Sequence, residues 1–227
     1  MVKKAVIALV LIAAGSSLCS GPQSLFLAGA QTDEAAAVFL ADFERALAAM
    51  DTYKCVMTTE NWKGARHEYR VSLVRFKKPN LLRLDVLKGD KKGSIVVLNK
   101  KGKIRGKNSL GLRQTMKPAD KRLKNILGLT FLNSSLQDKL LRLKEQILIK
   151  GFSAKVDQTT LETKAAYRLH IYYNDSADPI TDEDIWFDKE TFFIIKNVKF
   201  QEENKVSDVF WRDFEINIPL DDSEFVL

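Results

Sequence analysis

Two histidines (His67 and His170), two cysteines (Cys19 and Cys55) and a scatter of carboxylates are the groups from which this 227-residue chain would have to build an active site. Neither histidine stands in an H-E-x-x-H spacing and the cysteines form no C-x-x-C pair, so no ligand set for a metal is predicted. There is no G-x-S-x-G elbow, no P-loop and no dinucleotide fingerprint. His170 alternates with Leu169 and Ile171 in a strand-like run, which reads as a solvent-facing or core-satisfied histidine rather than a general base. The carboxylates concentrate at turns, where solvation accounts for them. The sequence therefore predicts no catalytic residue, no cofactor and no enzyme.

The first thirty residues carry information of another kind. Met1-Val-Lys-Lys is a short basic start, Ala5–Ala14 is uninterruptedly apolar, and the small-x-small triplet Ala28-Gly29-Ala30 precedes Gln31. This is the layout of a secretory signal peptide cleaved after Ala30, since the apolar run falls short of the roughly 20 residues a bilayer span needs. Two alternatives stay open: an uncleaved N-terminal anchor, and lipidation at Cys19, which follows Leu18 where a small residue is usual. Residues 31–227 are expected to form one domain. That mature chain keeps Cys55 alone, so no internal disulfide can form and the core must hold the fold. Cys55 lies in the alternating stretch Tyr53–Met57 and reads as a small buried hydrophobe.

The net charge of +7 is unevenly distributed. Lys88, Lys91, Lys92, Lys100, Lys101 and Lys103, on two successive turns, are expected to form one positive rim. No aromatic residue interleaves these lysines as base stacking would require, so nucleic acid is not the expected partner. An anionic membrane surface or an acidic partner patch fits better, with a merely solvated surface as the alternative. An acidic tract opens at Asp175 and runs through Asp182, Glu183, Asp184 and Asp188.

The elements that position these residues follow from periodicity. Thr32-Asp33-Glu34 starts a helix whose Ala36, Phe39, Leu40, Phe43, Leu47 and Met50 share one stripe, ending near Asp51. Period-two runs follow over Arg66–Lys77, with a phase slip at Val74, and from Leu82, joined by Pro79-Asn80; Ser94–Asn99 is a further short strand. Lys117-Pro118-Ala119-Asp120 predicts a helix stopping at Gly128, and Ser134-Ser135 opens another that ends before Gly151. Strands resume over Phe152–Thr160, Ala165–Asn174, Asp182–Asp188, Phe192–Gln201 and Lys205–Asn217. The expectation is an α+β domain: one antiparallel sheet, an N-terminal helix and an inserted helical pair. By strand parity, Leu73, Leu84, Val97, Leu169 and Ile171, with Ile126, Leu127 and Leu140 from the insertion, either line an apolar cavity or meet in a filled core.

Phe76-Lys77-Lys78-Pro79-Asn80-Leu81-Leu82-Arg83-Leu84 resembles the K-R-P-N-L-F-x-W stretch of the LolA-like periplasmic lipoprotein carriers. Phe214–Phe225 is similar to that family's terminal strand, and the order of elements between 33 and 225 agrees. The resemblance implies a strongly curved, unclosed β-barrel lidded by helices. It also implies a monomeric periplasmic carrier of acylated lipoproteins or lipids, loaded by an inner-membrane donor and unloaded to an outer-membrane acceptor. The alternatives are a lipid-sensing envelope regulator acting through a protein partner, and an outer-membrane-anchored acceptor lipidated at Cys19. Lys78 stands where the family carries an arginine that latches the lid, which implies a looser latch here.

Overall fold

The computed structural model describes residues 34–174 and 179–227. The expected signal peptide, its cleavage site and Cys19 lie outside the described residues. Helix α1 (Glu34–Ala48) is followed by six strands: β1 (Thr52–Lys63), β2 (Arg66–Lys77), β3 (Leu81–Gly89), β4 (Ile95–Leu98), β5 (Ile104–Lys107) and β6 (Arg113–Met116). An insertion carrying helix α2 (Leu136–Lys144) leads to β7 (Ser153–Leu161), β8 (Lys164–Tyr172), β9 (Asp182–Asp188), β10 (Ile194–Gln201) and β11 (Asn204–Ile216). All eleven strands join one antiparallel sheet in the order β6-β5-β4-β3-β2-β1-β11-β10-β9-β8-β7.

This order explains the insertion. The chain meanders outward from β1 to the β6 edge, then returns inward from the β7 edge until β11 pairs with β1. The segment between β6 and β7 must therefore travel from one sheet edge to the other, and it does so over the face that also carries α1. The sheet stays unclosed.

Helix α1 buries Ala36, Phe39, Leu40, Phe43 and Leu47 on one stripe. Phe39 and Phe43 meet Phe187 edge-on, at centroid distances of 4.8 and 5.0 Å. Tyr53 stacks on Phe76 at 5.1 Å. Each such side chain contributes roughly 1.5–3 kcal/mol by leaving water. Helix α2 begins at Ser135, whose hydroxyl accepts from the Asp138 N–H at 3.1 Å. Its start is tied to the sheet by the Leu136 N–H, which donates to the Tyr53 hydroxyl at 3.3 Å. Gly89 closes the β2–β3 pairing at φ +79°, where a Cβ would lie 2.1 Å from the Tyr69 carbonyl oxygen; only glycine fits there.

Three expectations need correction. No helix spans 117–128: Asp120 caps a single 3-10 turn, Lys121–Leu123, and the chain then loops. The Asn125 side chain accepts from the N–H groups of Leu127 and Leu129, at 3.0 and 2.9 Å, an alternative to helical bonding. The phase slip at Val74 is absent: Glu68, Arg70, Ser72, Val74 and Phe76 share the concave face without interruption, and the irregularity lies in the pairing with β3 at Val71/Ser72. Third, β5 and β6 extend the sheet where only a turn and a helix start were expected.

Candidate functional site

The concave face is divided. Over β7–β9, α1 and α2 pack side chains against the sheet, and Leu140, Leu169 and Ile171 are buried there. Over β1–β4, β10 and β11, the insertion arches above the sheet and leaves room beneath. One cavity of about 150 Å³ lies between Met57, Leu84, Val86, Val96 and Trp211 of the sheet and Leu123, Leu129 and Phe131 of the insertion. A second, of about 570 Å³, lies against Trp62, Leu127, Gln146, Tyr173, Ile180 and Val206, toward the sheet end that carries the β1–β2 turn. Leu129, Arg142 and Lys199 line both. The larger one is within the range of about 300–1,000 Å³ typical of small-molecule sites.

The predicted cavity residues therefore separate. Leu84 lines the smaller cavity and Leu127 the larger; Ile126 is half-buried on the loop above, its N–H donating to Glu68 at 3.0 Å. Leu140, Leu169 and Ile171 belong to the packed core. Leu73 and Val97 are on the convex face: Leu73 pairs with Val56 and Asp85, and Val97 packs with Leu81, Leu220 and Phe225 under the C-terminal segment. Both faces of β2–β4 are part apolar, so parity alone could not say which one faced inward, and a one-residue choice moves a whole set.

The cavities also have a polar wall. Glu183 on β9 is fully buried and is met by Lys139 of α2, by Lys199 Nζ at 3.0 Å, by Arg142 at 3.4 Å and by the donating hydroxyl of Tyr173. Lys139 also donates to Asn197 Oδ1 at 3.2 Å. Burial alone would raise the Glu183 carboxyl, but Lys139, Lys199 and Arg142 outweigh it and hold the group well below the usual carboxylate range. The Lys139 ammonium is lowered by burial and by Arg142 beside it. Tyr173 is raised, by burial and by the adjacent carboxylate. Across the cavity, Arg70 pairs with Glu68 at 2.6 Å and Lys91 Nζ donates to the Arg122 carbonyl at 3.2 Å, tying the insertion to the sheet.

This wall is not evident from the sequence. Glu183 falls within the acidic tract expected to be solvated, yet it shares parity with Ile185 and Phe187, the signal that turns it inward. Lys139 sits three residues from Leu136 on the buried stripe of α2, a weaker version of the same signal.

Lys78 precedes a cis Pro79 at the β2–β3 turn, and its Nζ donates to the Ala48 carbonyl at 2.7 Å and meets Asp51 at 3.3 Å. The six rim lysines do not form one rim. Lys88, Lys91 and Lys92 lie where β3 passes into β4, and Lys100, Lys101 and Lys103 where β4 passes into β5; successive turns of a meander fall at opposite ends of the strands. Among the described residues, no group of three or more His, Cys, Asp or Glu is placed to hold a metal ion, and no helix is long and apolar enough to cross a membrane. His170 bonds Asp184 through Nδ1 at 2.7 Å and pairs with Asp182 at 3.5 Å, on the sheet face opposite Leu169 and Ile171. Cys55 is buried and its thiol is pushed up to about 12 by burial.

No protein-family model matches this sequence, and no curated protein matches it. Solved structures do. An uncharacterised conserved protein from Thermus thermophilus is similar at a TM-score of 0.53 and 12% identity, over 84% of this chain and 92% of that one. The lipoprotein LppX of Mycobacterium tuberculosis is similar at 0.52 and 10%, over 83% and 98%. A LolA superfamily protein from Nitrosomonas europaea aligns at 0.41 and 9%, over 85% and 97%. With its single unclosed antiparallel sheet, helix-covered on the concave side and built outward and back from a central β1–β11 pair, the chain shares the fold of the Thermus protein and of LppX.

Proposed function

We propose that this chain is a non-catalytic, exported carrier that shelters acyl chains of lipoproteins or lipids beneath its insertion and moves them toward the outer membrane. The observation that carries the reading is the space left between the curved sheet and the insertion, about 570 Å³ in its larger part and walled by Trp62, Leu127, Leu129, Ile180 and Val206. Each CH₂ placed there contributes about 0.8 kcal/mol, so part of one chain supplies useful affinity. The donor and acceptor would be an inner-membrane and an outer-membrane protein, and the periplasm the compartment, as the basic, apolar and small-residue start of the sequence suggests. The likeness to LppX concerns the fold; LppX is a lipoprotein, which is consistent with an envelope setting for this chain.

The test is native mass spectrometry of the protein purified without detergent, combined with displacement of a fluorescent acyl probe by acylated peptide. Co-purifying acyl species and competitive displacement are expected. A protein that carries nothing and binds no apolar probe is not a carrier.

A further inference from the structure

Apolar chains alone do not explain the charge inside this cavity. Among the described residues lining the two spaces, every charged side chain is a cation. Lys139, Arg142 and Lys199 stand on one wall, and Arg70, Lys91 and Arg122 on the other. The carboxylates that partner them, Glu183, Glu68 and Asp120, lie behind the cations and line neither space. Lys139 and Lys199 are buried, their side chains only 7% exposed each, and with Arg142 they share the one carboxylate of Glu183. Removing a cation from water is costly unless it is paired. A wall of this kind is a poor neighbour for an alkyl chain and a good one for an anion that arrives with the chain.

We propose that the ligand is an anionic amphiphile, with its carboxylate or phosphate seated at Arg142 and Lys199, the two cations common to both cavities, and its alkyl chain in the space lined by Trp62, Leu127 and Val206. Arg142 presents a planar fork suited to an oxyanion, and Lys199 supplies a point charge beside it. The inference rests on the carrier reading and narrows it from acyl chains in general to chains bearing a negative group.

The experiment compares four ligands of one chain length on the mature protein: dodecanoate, dodecyl phosphate, dodecanol and dodecyltrimethylammonium, each displacing an uncharged fluorescent alkyl probe. The two anions are expected to bind about tenfold or more tightly than dodecanol, and the cation more weakly than it. The ratio of dodecanoate to dodecyl phosphate distinguishes a fatty-acid-like head from a phospholipid-like one. Arg142→Gln, checked for folding by circular dichroism, should reduce the ratio of anion affinity to dodecanol affinity, Lys199 retaining part of the preference. Added salt should reduce the preference in the unaltered protein, a readout that needs no variant. Equal affinity for dodecanol and both anions overturns the anionic inference while the carrier reading stands. Failure of all four to bind removes the carrier reading, and this inference with it.

Discussion

The Lys78 ammonium donates to the carbonyl of Ala48, 2.7 Å away, and so joins the turn that starts β3 to the last residue of α1. Exposed helix-end carbonyls carry partial negative charge and favour a cation. Asp51, at 3.3 Å, adds a second partner on the same connection. The contact lies at the sheet end away from the larger cavity, so it can hinge the covering helix without standing in the ligand's path. Replacing the lysine with an apolar side chain removes a hydrogen bond of about 1 kcal/mol. We expect Lys78→Leu to speed acyl-probe release about two- to tenfold, and Lys78→Arg to slow it or leave it between the two. Stopped-flow release measured on the three proteins decides this, and identical rates would mean that Lys78 does not latch the helix.

Glu183 is the one carboxylate beneath three cations, and its loss is unlike the loss of a surface pair. Glu183→Gln leaves Lys139 and Lys199 buried without a counter-charge, and an expected cost of about 3–5 kcal/mol follows from breaking a buried pair on one side only. Replacing Glu183 and Lys139 together by leucine and methionine should recover part of that loss, because one buried cation leaves with the carboxylate while Lys199 stays beside the vacated site. Urea denaturation of the single and double variants measures it. A Glu183→Gln protein as stable as the parent would show that water, not the carboxylate, compensates the cluster. The acid limb has a defined sign. The folded carboxyl lies below its unfolded value, so its contribution is complete above about pH 4.3 and is lost as pH falls toward the folded value.

How much of this was legible beforehand depends on which side chains announced their surroundings. The α1 stripe did, since Phe39, Leu40, Phe43 and Leu47 have no polar competitor on that face. The long strands did as well. β5 and β6 did not, because Arg105, Gly106 and Lys107 pair with Arg113, Gln114 and Thr115, and a short outer hairpin of that composition carries no alternation to read. Ile126, Leu127 and Leu129 looked like a helix face, yet the half-buried leucines there point at the cavity and Asn125 takes up the local N–H groups. The convex face misled most. The C-terminal segment covers it with Leu220 and Phe225, and Arg75 and Arg83 bridge to Glu224 and Asp85, so Val97 is as buried there as any residue on the concave side. Burial by a segment more than a hundred residues distant leaves no mark in local periodicity.

Cys55 sets an alkaline limit. Its thiol is pushed up to about 12 by burial, so the folded state keeps a proton that the unfolded chain releases from about pH 8.5 upward. The native state then binds more protons than the unfolded state, and stability must fall as pH rises through that window, by up to about 1.4 kcal/mol per pH unit. Tyr53 is raised too, chiefly by burial, and steepens the loss at its upper end. Urea midpoints between about pH 8 and about pH 10.5 should fall more steeply in the parent than in Cys55→Ala. The same thiol should resist alkylation in the folded protein and react fully in urea. Parallel pH slopes for parent and variant would show that the thiol ionises in place.

The two lysine clusters differ in what surrounds them. Leu110 and Leu112 stand 81% and 65% exposed at the tip of the β5–β6 hairpin, and the Asn108 side chain holds that tip by accepting their N–H groups at 3.1 and 2.9 Å. A Cβ on Gly93 would lie 3.7 Å from Ser109, so the turn bearing Lys91 and Lys92 sits against the tip, and Lys107 and Arg113 flank it. Two bare leucines amid cations suit an anionic bilayer: the charges draw the tip to the headgroups, each basic residue near the surface adding about 1 kcal/mol, and the leucines insert. Lys100 and Lys101, at the other end of β4, have no such neighbours, and Lys100 faces Asp222 at 3.9 Å. In co-sedimentation with vesicles, binding should be stronger to anionic than to neutral lipid and should weaken with salt. Leu110→Ser with Leu112→Ser should lower anionic-vesicle affinity about tenfold or more, whereas Lys100→Gln with Lys101→Gln should leave it nearly unchanged. If the two pairs of substitutions weaken binding equally, the attraction is diffuse charge and the hairpin tip has no special part in it.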